Sequence, residues 1–316
     1  MKSVTKSDKA KYIIAIILVV AALLMIIAAV TVDRVSPPDV VNDNPADDVI
    51  SEVSAERREN FFTVLVVGID AASNSTDTIM LAAFDIENKK MNMMSIPRDT
   101  ITNTTRKVKK INAAYISHHK DITALMDEVE SVTGVYPDKY ALVTVDSFSE
   151  IIDEIGGVEF DVPFNMIYND PTQDLKINIK KGYQTLCGHD AMGLMRYRAT
   201  YAEGDIGRIK MQQAFVGAVM DKMMTASTIP KIPEIAQIIF DNVETNLTLG
   251  NEVWIGKELV TMNREEDIFM TTLPGVAGSY DGLSYYFPNE EEVLSIVNEK
   301  FNPYMDPIEK LDLFKR

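Results

Sequence analysis

Short apolar runs and longer segments of helical spacing alternate along most of this chain. The short runs, rich in β-branched and aromatic residues, predict buried strands at 61–67, 79–84, 90–96, 140–145 and 158–162. Apolar positions three and four residues apart predict helices at 122–132, from Ser147 or Ser149 to 155, and at 189–197, 205–224, 232–240, 251–262 and 290–299. This alternation indicates a layered α/β or α+β domain in which helices flank a central β-sheet.

One apolar run is much longer than the others. Residues 12–32 carry no charged side chain over 21 positions, and an α-helix of that length spans about 30 Å, the thickness of a bilayer core. Lysines dominate the residues before this run, and acidic residues dominate those after it. Because positive charge stays on the cytoplasmic side, we predict a single transmembrane helix with its N-terminus inside. A cleaved signal peptide is the alternative, and it also places the large domain outside.

The same pattern divides the chain into five segments. We expect a cytoplasmic tail at 1–11, the transmembrane helix at 12–32, an extracytoplasmic linker at 33–59, a globular domain at 60–303 and a peripheral C-terminal tail at 304–316. Prolines and acidic residues make the linker stiff and well solvated, so we expect a featureless stalk.

Charge and composition exclude several classes of function. The net charge of −16 argues against a nucleic-acid surface, which needs a basic footprint. Cys187 is the single cysteine, so an intramolecular disulfide is excluded and the fold relies on its core. The three histidines, His118, His119 and His189, match no common zinc pattern.

Acidic and basic residues recur where loops leave the predicted core elements. Asp70 follows the first predicted strand, and Asp77 precedes the second. If these strands are neighbours, both carboxylates reach the same crevice, and two carboxylates with water and phosphate ligands are the usual way of holding Mg²⁺. Mn²⁺ accepts the same oxygen ligands. The structural alternative is that both aspartates only form turns.

A guanidinium and a carboxylate follow the third predicted strand, after Pro97. Arg98 there can bind a phosphate through two parallel hydrogen bonds. Asp99 can orient that arginine or accept a proton from an attacking hydroxyl. The alternative is a surface ion pair, which stabilises a fold little.

Further arginines flank the loop 199–204. We expect Arg196 and Arg198 where one helix frays into this loop, and Asp205 where the next helix begins. Arg208 and Gln212 follow on one face of that helix. Repeated arginines favour an anion site, although Asp205 can simply cap its helix.

In this order the motifs resemble the LytR-CpsA-Psr family of bacterial cell-envelope proteins. The resemblance covers about residues 60–225 and includes Lys110-Ile111-Asn112 and the pair Gln212 and Gln213. It implies a membrane-anchored phosphotransferase that moves a glycopolymer, such as a teichoic acid or a capsular polysaccharide, from a polyprenyl-pyrophosphate lipid to peptidoglycan. The product is a phosphodiester.

The resemblance also implies roles for individual residues. Asp70 and Asp77 match the acids that bind Mg²⁺. The matching catalytic residues are Arg98, Asp99, Arg196, Arg198 and Asp205, with Asp99 as the general base. The matching pyrophosphate-binding residues are Arg98, Lys110, Asn112, Arg196, Arg198, Arg208 and Gln212.

This chain departs from the family pattern at three places. These departures leave the identity of the substrate open. The loop 71–76 is short, His118-His119 replaces a common glycine pair, and Met211 replaces a usually basic residue. Three other functions remain open: a polyprenyl-pyrophosphate hydrolase, an envelope regulator that does not bind DNA, and a non-catalytic lipid-binding scaffold.

Overall fold

The computed structural model describes residues 35–39, 56–70, 75–170, 175–197, 205–225 and 227–315. Its largest element is a six-stranded mixed sheet with the strand order β10-β3-β2-β1-β4-β9. The strands are β1 (Phe61–Asp70), β2 (Ser75–Asp85), β3 (Lys90–Ser95), β4 (Lys139–Thr144), β9 (Glu244–Thr245) and β10 (Ile268–Thr272).

Helices cover both faces of this sheet. In chain order they are α1 (Ala113–Ser117), α2 (Ile122–Thr133), α3 (Val145–Glu154), α4 (Gly188–Arg196), α5 (Asp205–Met223), α6 (Ile232–Asn242), α7 (Leu249–Leu259), α8 (Arg264–Asp267) and α9 (Glu290–Lys300), with a 3₁₀ turn at Ile229–Lys231. Helices α1, α2 and α9 pack on one face, and α5 and α7 pack on the other.

Strand β1 shows why both faces are covered. Its residues alternate between the two cores, as the pleat of a strand requires: Leu65 and Val67 join one cluster, and Phe62 and Val64 join the other. A strand with apolar residues on both faces must be buried on both faces. The predicted fold class, a central sheet flanked by helices, is therefore confirmed.

Three two-stranded pairings lie outside the main sheet. They are formed by β5 (Val158–Val162) with β8 (Gly182–Leu186), β6 (Met166–Asp170) with β7 (Leu175–Ile179), and β11 (Gly275–Tyr280) with β12 (Leu283–Pro288). The first two pack with α3, α4 and α6 around a separate core that includes Val158, Leu194 and Phe215.

Both ends of the predicted catalytic domain differ from expectation. Within the predicted linker, Pro38 is buried, Ser36 accepts a hydrogen bond from Asn251 and Arg57 forms an ion pair with Asp138 at 2.7 Å. The tail after residue 303 is not peripheral, because Leu311 belongs to the main core. Pro38 and Leu311 are thus buried against the domain instead of extending into solvent.

The predicted transmembrane helix at 12–32 lies outside the described residues. Among the helices that the structure does describe, none has the length and apolar character needed to cross a membrane.

Candidate functional site at one edge of the sheet

The direction of the strands brings most of the predicted site residues to one edge of the main sheet. Strand β1 runs parallel to β4, and β3 runs parallel to β10. Strand β2 is antiparallel to its neighbours β1 and β3. The C-terminal ends of β1, β3, β4 and β10 and the N-terminal end of β2 therefore lie at the same end of the strands. We call this end of the sheet the carboxyl edge.

The two predicted metal ligands lie at the carboxyl edge, next to a β-bulge. The first two strands are neighbours, as the metal hypothesis requires. Gly68 pairs with Thr78, but Ile69 pairs with Thr76, so Asp77 is an extra residue in β2. Asp70 pairs with Ser75. The backbone thus places both aspartates within a few residues of the same bulge.

Gly68 allows β1 and β2 to approach each other closely at this bulge. A β-carbon at this position would lie 3.1 Å from Cβ of Thr78, which is tighter than ordinary van der Waals contact. The missing side chain lets β1 and β2 stay paired next to Asp77.

The loop after β3 is tied to the same edge. The amide of Asn112 donates to the carbonyl of Arg98 at 3.2 Å. The hydroxyl of Thr76 donates to the carbonyl of Asn112 at 3.1 Å. Arg98, Asn112 and the residue preceding Asp77 are therefore linked by consecutive hydrogen bonds. The structure brings together three motifs that are separate in the sequence.

Lys110 contacts an acid of the site. Its Nζ lies 2.8 Å from Oδ1 of Asp99, and both side chains are about a quarter exposed. The same Nζ lies 5.7 Å from the ring centre of Tyr285, and the carbonyl of Asp99 accepts a hydrogen bond from the amide of Tyr286. Strand β12 therefore contacts both residues: it binds the backbone of Asp99 and packs a tyrosine ring near the Lys110 ammonium group. The Asp99 carboxylate itself is held by Lys110.

Helix α5 brings the later motif to the same edge. Gln213 Nε2 lies 3.0 Å from Oγ of Ser95, the last residue of β3. Arg208 lies on the same helix, about one turn before Gln212, and its side chain is 2% exposed. Arg196 is the last residue of α4, and the carbonyl of its neighbour Met195 accepts a hydrogen bond from Gln212. Arg98, Arg196 and Arg208 thus lie on segments that contact one another.

Other predicted residues are described only in part or not at all. Asp205 begins α5 as predicted. Arg198 lies outside the described residues. Among the described residues there is no group of three or more His, Cys, Asp or Glu side chains that could hold a metal. The donor chemistry of Asp70 and Asp77 still suits Mg²⁺, which commonly takes only one or two protein carboxylates and completes its shell with water and phosphate oxygens.

Several residues at this site were not singled out in the sequence. Tyr285 and Tyr286 lie far along the chain from Asp99, and no local motif connects them with it. Thr272 contacts Gln213, but an isolated hydroxyl at a strand end gives no distinctive signal. These residues are found only from the pairing of β3 with β10 and of β11 with β12.

The sequence model of the LytR_cpsA_psr family matches residues 34–302. The Bacillus subtilis (strain 168) protein TagV, named polyisoprenyl-teichoic acid–peptidoglycan teichoic acid transferase, is 37% identical over 198 residues, which are 60% of this chain and 50% of TagV. Regulatory protein MsrR of Staphylococcus aureus (strain COL) is 30% identical over 232 residues, which are 72% of this chain and 68% of MsrR. The chain therefore spans about half of the length of TagV.

Solved structures show the same architecture. The crystal structure of B. subtilis TagV matches with a TM-score of 0.63 and 30% identity, and covers 76% of this chain and 95% of that one. The structure of protein gbs0355 from Streptococcus agalactiae gives a TM-score of 0.68 at 20% identity, and covers 81% of this chain and 92% of that one. At the lower identity the likeness concerns the fold alone.

Proposed function

The chain belongs to the LytR_cpsA_psr family, and from this premise we propose that it is a phosphotransferase. In this proposal it moves a glycopolymer from a polyprenyl-pyrophosphate lipid to peptidoglycan and forms a phosphodiester. The transferase name of TagV, which is 37% identical over the matched residues, supports the general kind of reaction.

One observation carries the proposal: the carboxyl edge gathers acids and arginines that come from distant parts of the chain. The backbone positions of Asp70, Asp77, Arg98 and Asp99 lie there. Helix α5, which carries Arg208, contacts the same edge through Gln213. Arginines at a pair of carboxylates suit a substrate with several phosphate oxygens, because guanidinium groups bind these oxygens in pairs.

The proposed roles follow from the chemistry of each side chain. Asp70 and Asp77 would hold Mg²⁺, or Mn²⁺ through the same oxygen ligands. The bound ion would offset the negative charge of the pyrophosphate. Arg98, Arg196, Arg198 and Arg208 bind the pyrophosphate oxygens and stabilise the negative charge that grows on the leaving group. Lys110 and Asn112, which the resemblance assigns to pyrophosphate binding, also contact Asp99 and the Arg98 loop.

Asp99 acts as the general base in this proposal. The hydroxyl oxygen of the acceptor sugar attacks the phosphorus that carries the glycopolymer, and the hydroxyl proton passes to the Asp99 carboxylate. The bond from this phosphorus to the bridging oxygen breaks, so the lipid leaves as polyprenyl monophosphate. Asp205 begins α5, three residues before Arg208, and would be a second acid of the site.

We also propose that residues 12–32 anchor the protein in the cell membrane as a single span, with residues 1–11 in the cytoplasm and the domain outside. This topology places the carboxyl edge on the side of the membrane where a lipid-linked glycopolymer and peptidoglycan meet. The length of the apolar run and the lysines before it support this arrangement.

The test is a transfer assay with the full-length chain in detergent. The protein is incubated with Mg²⁺, a short polyprenyl-pyrophosphate glycan and peptidoglycan oligomers, and mass spectrometry detects the products. We expect a phosphodiester-linked glycan and one polyprenyl monophosphate for each link formed. Release of lipid phosphate without linkage, in the presence of acceptor, would indicate a hydrolase. Tight lipid binding without turnover would indicate a scaffold.

The metal assignment has a separate test. We expect Asp77→Asn to remove the Mg²⁺-dependent rate while the melting temperature stays within a few degrees of the wild type, because the asparagine keeps the size of the side chain but loses its charge. Asp161→Asn, an exposed change on β5, is the matched control. An Asp77→Asn enzyme with full metal-dependent activity would contradict the assignment.

A further inference from the structure

We propose that Gln212 and Gln213 are positioning residues that fix three arginine-bearing segments relative to one another. The segments are the loop that carries Arg98, the end of α4 that carries Arg196, and α5 itself, which carries Arg208. This inference rests on the proposed function for its consequence in catalysis, but the contacts on which it depends are independent of that function.

Gln212 connects α5 to the end of α4. Its Nε2 donates to the carbonyl of Met195 at 3.0 Å, and its side chain is 5% exposed. The backbone leaves the helix at Tyr197, which is extended. The last carbonyls of a helix lack partners within the helix. Gln212 therefore completes the C-terminus of α4 from another helix and fixes the point at which Arg196 emerges.

Gln213 connects the same helix to the sheet. Its Nε2 lies 2.8 Å from the carbonyl of Thr271, 3.0 Å from Oγ of Ser95 and 3.1 Å from Oγ1 of Thr272. Strand β10 is at the edge of the sheet, where backbone groups lack a neighbouring strand. Gln213 therefore binds a backbone carbonyl of β10 and the residue that ends β3, three residues before Arg98.

The geometry of the helix explains how two consecutive glutamines contact different parts of the protein. Successive side chains on an α-helix point about 100° apart, so one glutamine faces α4 while the next faces β3 and β10. A side chain amide is suited to this task because its NH₂ group donates without adding a charge next to the arginines.

These contacts change the expected role of Gln212. The family resemblance implied that it binds pyrophosphate. In the structure its amide nitrogen is used by the protein backbone and little of the side chain reaches solvent, which points to positioning instead of direct contact with the substrate.

The first experiment measures amide hydrogen exchange in the full-length protein without substrate. Gln213→Met keeps the length of the side chain but removes the donor, and we expect faster exchange at Thr100 and Asn112, whose amides bond within the Arg98 loop. Gln212→Met is expected to speed exchange at Tyr197, whose amide bonds to the carbonyl of Leu194. Each variant should leave the other region unchanged. Gln237→Met, at an exposed position of α6, is the matched control.

The second experiment asks whether the glutamine acts through the arginine. The dissociation constant of a short polyprenyl pyrophosphate is measured for Gln213→Met, Arg98→Ala and the double variant. We expect Gln213→Met to weaken binding about tenfold in the wild-type background and less than twofold when Arg98 is already absent. A general loss of structure would weaken binding equally in both backgrounds.

The two experiments separate failure of this inference from failure of the proposed function. Unchanged exchange in both glutamine variants, or equal weakening of lipid binding with and without Arg98, would overturn the positioning role. If the wild-type protein does not bind the lipid but the exchange pattern appears as expected, the positioning role stands and the proposed substrate is wrong.

Discussion

Glu252, in the first turn of α7, is a buried carboxylate outside the proposed site. Its side chain is 7% exposed, and neither of its carboxylate oxygens has a hydrogen-bond partner among the described residues. Burial raises the pKa of this carboxyl from 4.5 to about 7, because loss of water disfavours the charged form. The folded protein therefore binds this proton more tightly than the unfolded chain does.

The raised pKa of Glu252 predicts a specific pH dependence of stability. The stabilisation from the bound proton is fully present below the unfolded pKa of 4.5 and is lost as the pH rises through the folded pKa of about 7. We expect Glu252→Gln to unfold with nearly the wild-type free energy at pH 4.5 and to be more stable than the wild type at pH 8, by up to about 3 kcal/mol.

Denaturant unfolding across this pH range provides the measurement. Glu234→Gln, at an exposed position of α6, is the control and should follow the wild-type curve. Parallel curves for the wild type and Glu252→Gln would show that burial does not shift the pKa of this carboxyl.

Local sequence predicted some residues of the site better than others. Arg98, Asp99, Asp70 and Asp77 were identifiable because they follow or precede strongly apolar strands. The partners that hold them were not, because Tyr285 reaches Lys110 only through the pairing of β11 with β12. Contacts that depend on tertiary structure leave no periodic signal in the chain.

At the scale of elements, the close packing of α3 and α4 depends on one glycine. A β-carbon on Gly188 would overlap the carbonyl oxygen of Ser149 in α3. The amide of Gly188 also donates to Oδ1 of Asp153 at 2.7 Å. This contact places α4, and therefore Arg196 at its end, against the neighbouring helix.

Two alanine substitutions in α4 should thus have different effects. We expect Gly188→Ala to destabilise the protein by about 1–3 kcal/mol, because the backbone of Ser149 cannot move away easily. Gly193→Ala should be neutral or slightly stabilising, because its new β-carbon would lie at an ordinary 3.4 Å from Ile177 and alanine favours the helix. Thermal unfolding of both variants tests this, and equal melting temperatures would contradict it.

Most elements with a clear apolar pattern were predicted from the sequence. The predicted helix at 122–132 is observed as Ile122–Thr133, and the strand at 158–162 is observed with the same bounds. Helix α3 begins earlier than expected, because Thr144 caps it in place of Ser147 or Ser149. Strand β6 escaped prediction because its apolar and polar residues do not alternate. Strand β7 does alternate between apolar and polar residues, but a run of only five residues gives a weak signal.

At the level of the whole molecule, the segment before β1 and the segment after α9 bind each other. The amide of Arg58 donates to the carbonyl of Pro303, and the amide of Met305 donates to the carbonyl of Glu56. Leu311 then enters the main core. The sequence could not show this docking, because the tail has no regular period and its single buried leucine resembles any apolar residue in a loop.

The docked tail predicts a large effect from a single truncation. We expect Leu311→Ala to lower the free energy of unfolding by about 2–5 kcal/mol, as for other buried leucines. Met305→Ala, at a side chain that is 64% exposed, should change it by less than about 0.5 kcal/mol. Denaturant unfolding compares the two variants, and a silent Leu311→Ala would mean that the tail does not contribute to the core in solution.

For the whole molecule, we propose that transfer takes place at the carboxyl edge. The most direct test is the initial rate of phosphodiester-linked product for Arg98→Ala compared with Lys257→Ala, an exposed cation on α7. We predict a loss of at least about a hundredfold for Arg98→Ala, the usual effect of removing a group that stabilises transition-state charge, and a rate within about threefold of the wild type for Lys257→Ala. A folded Arg98→Ala protein that forms the linked product at the wild-type rate would contradict the account.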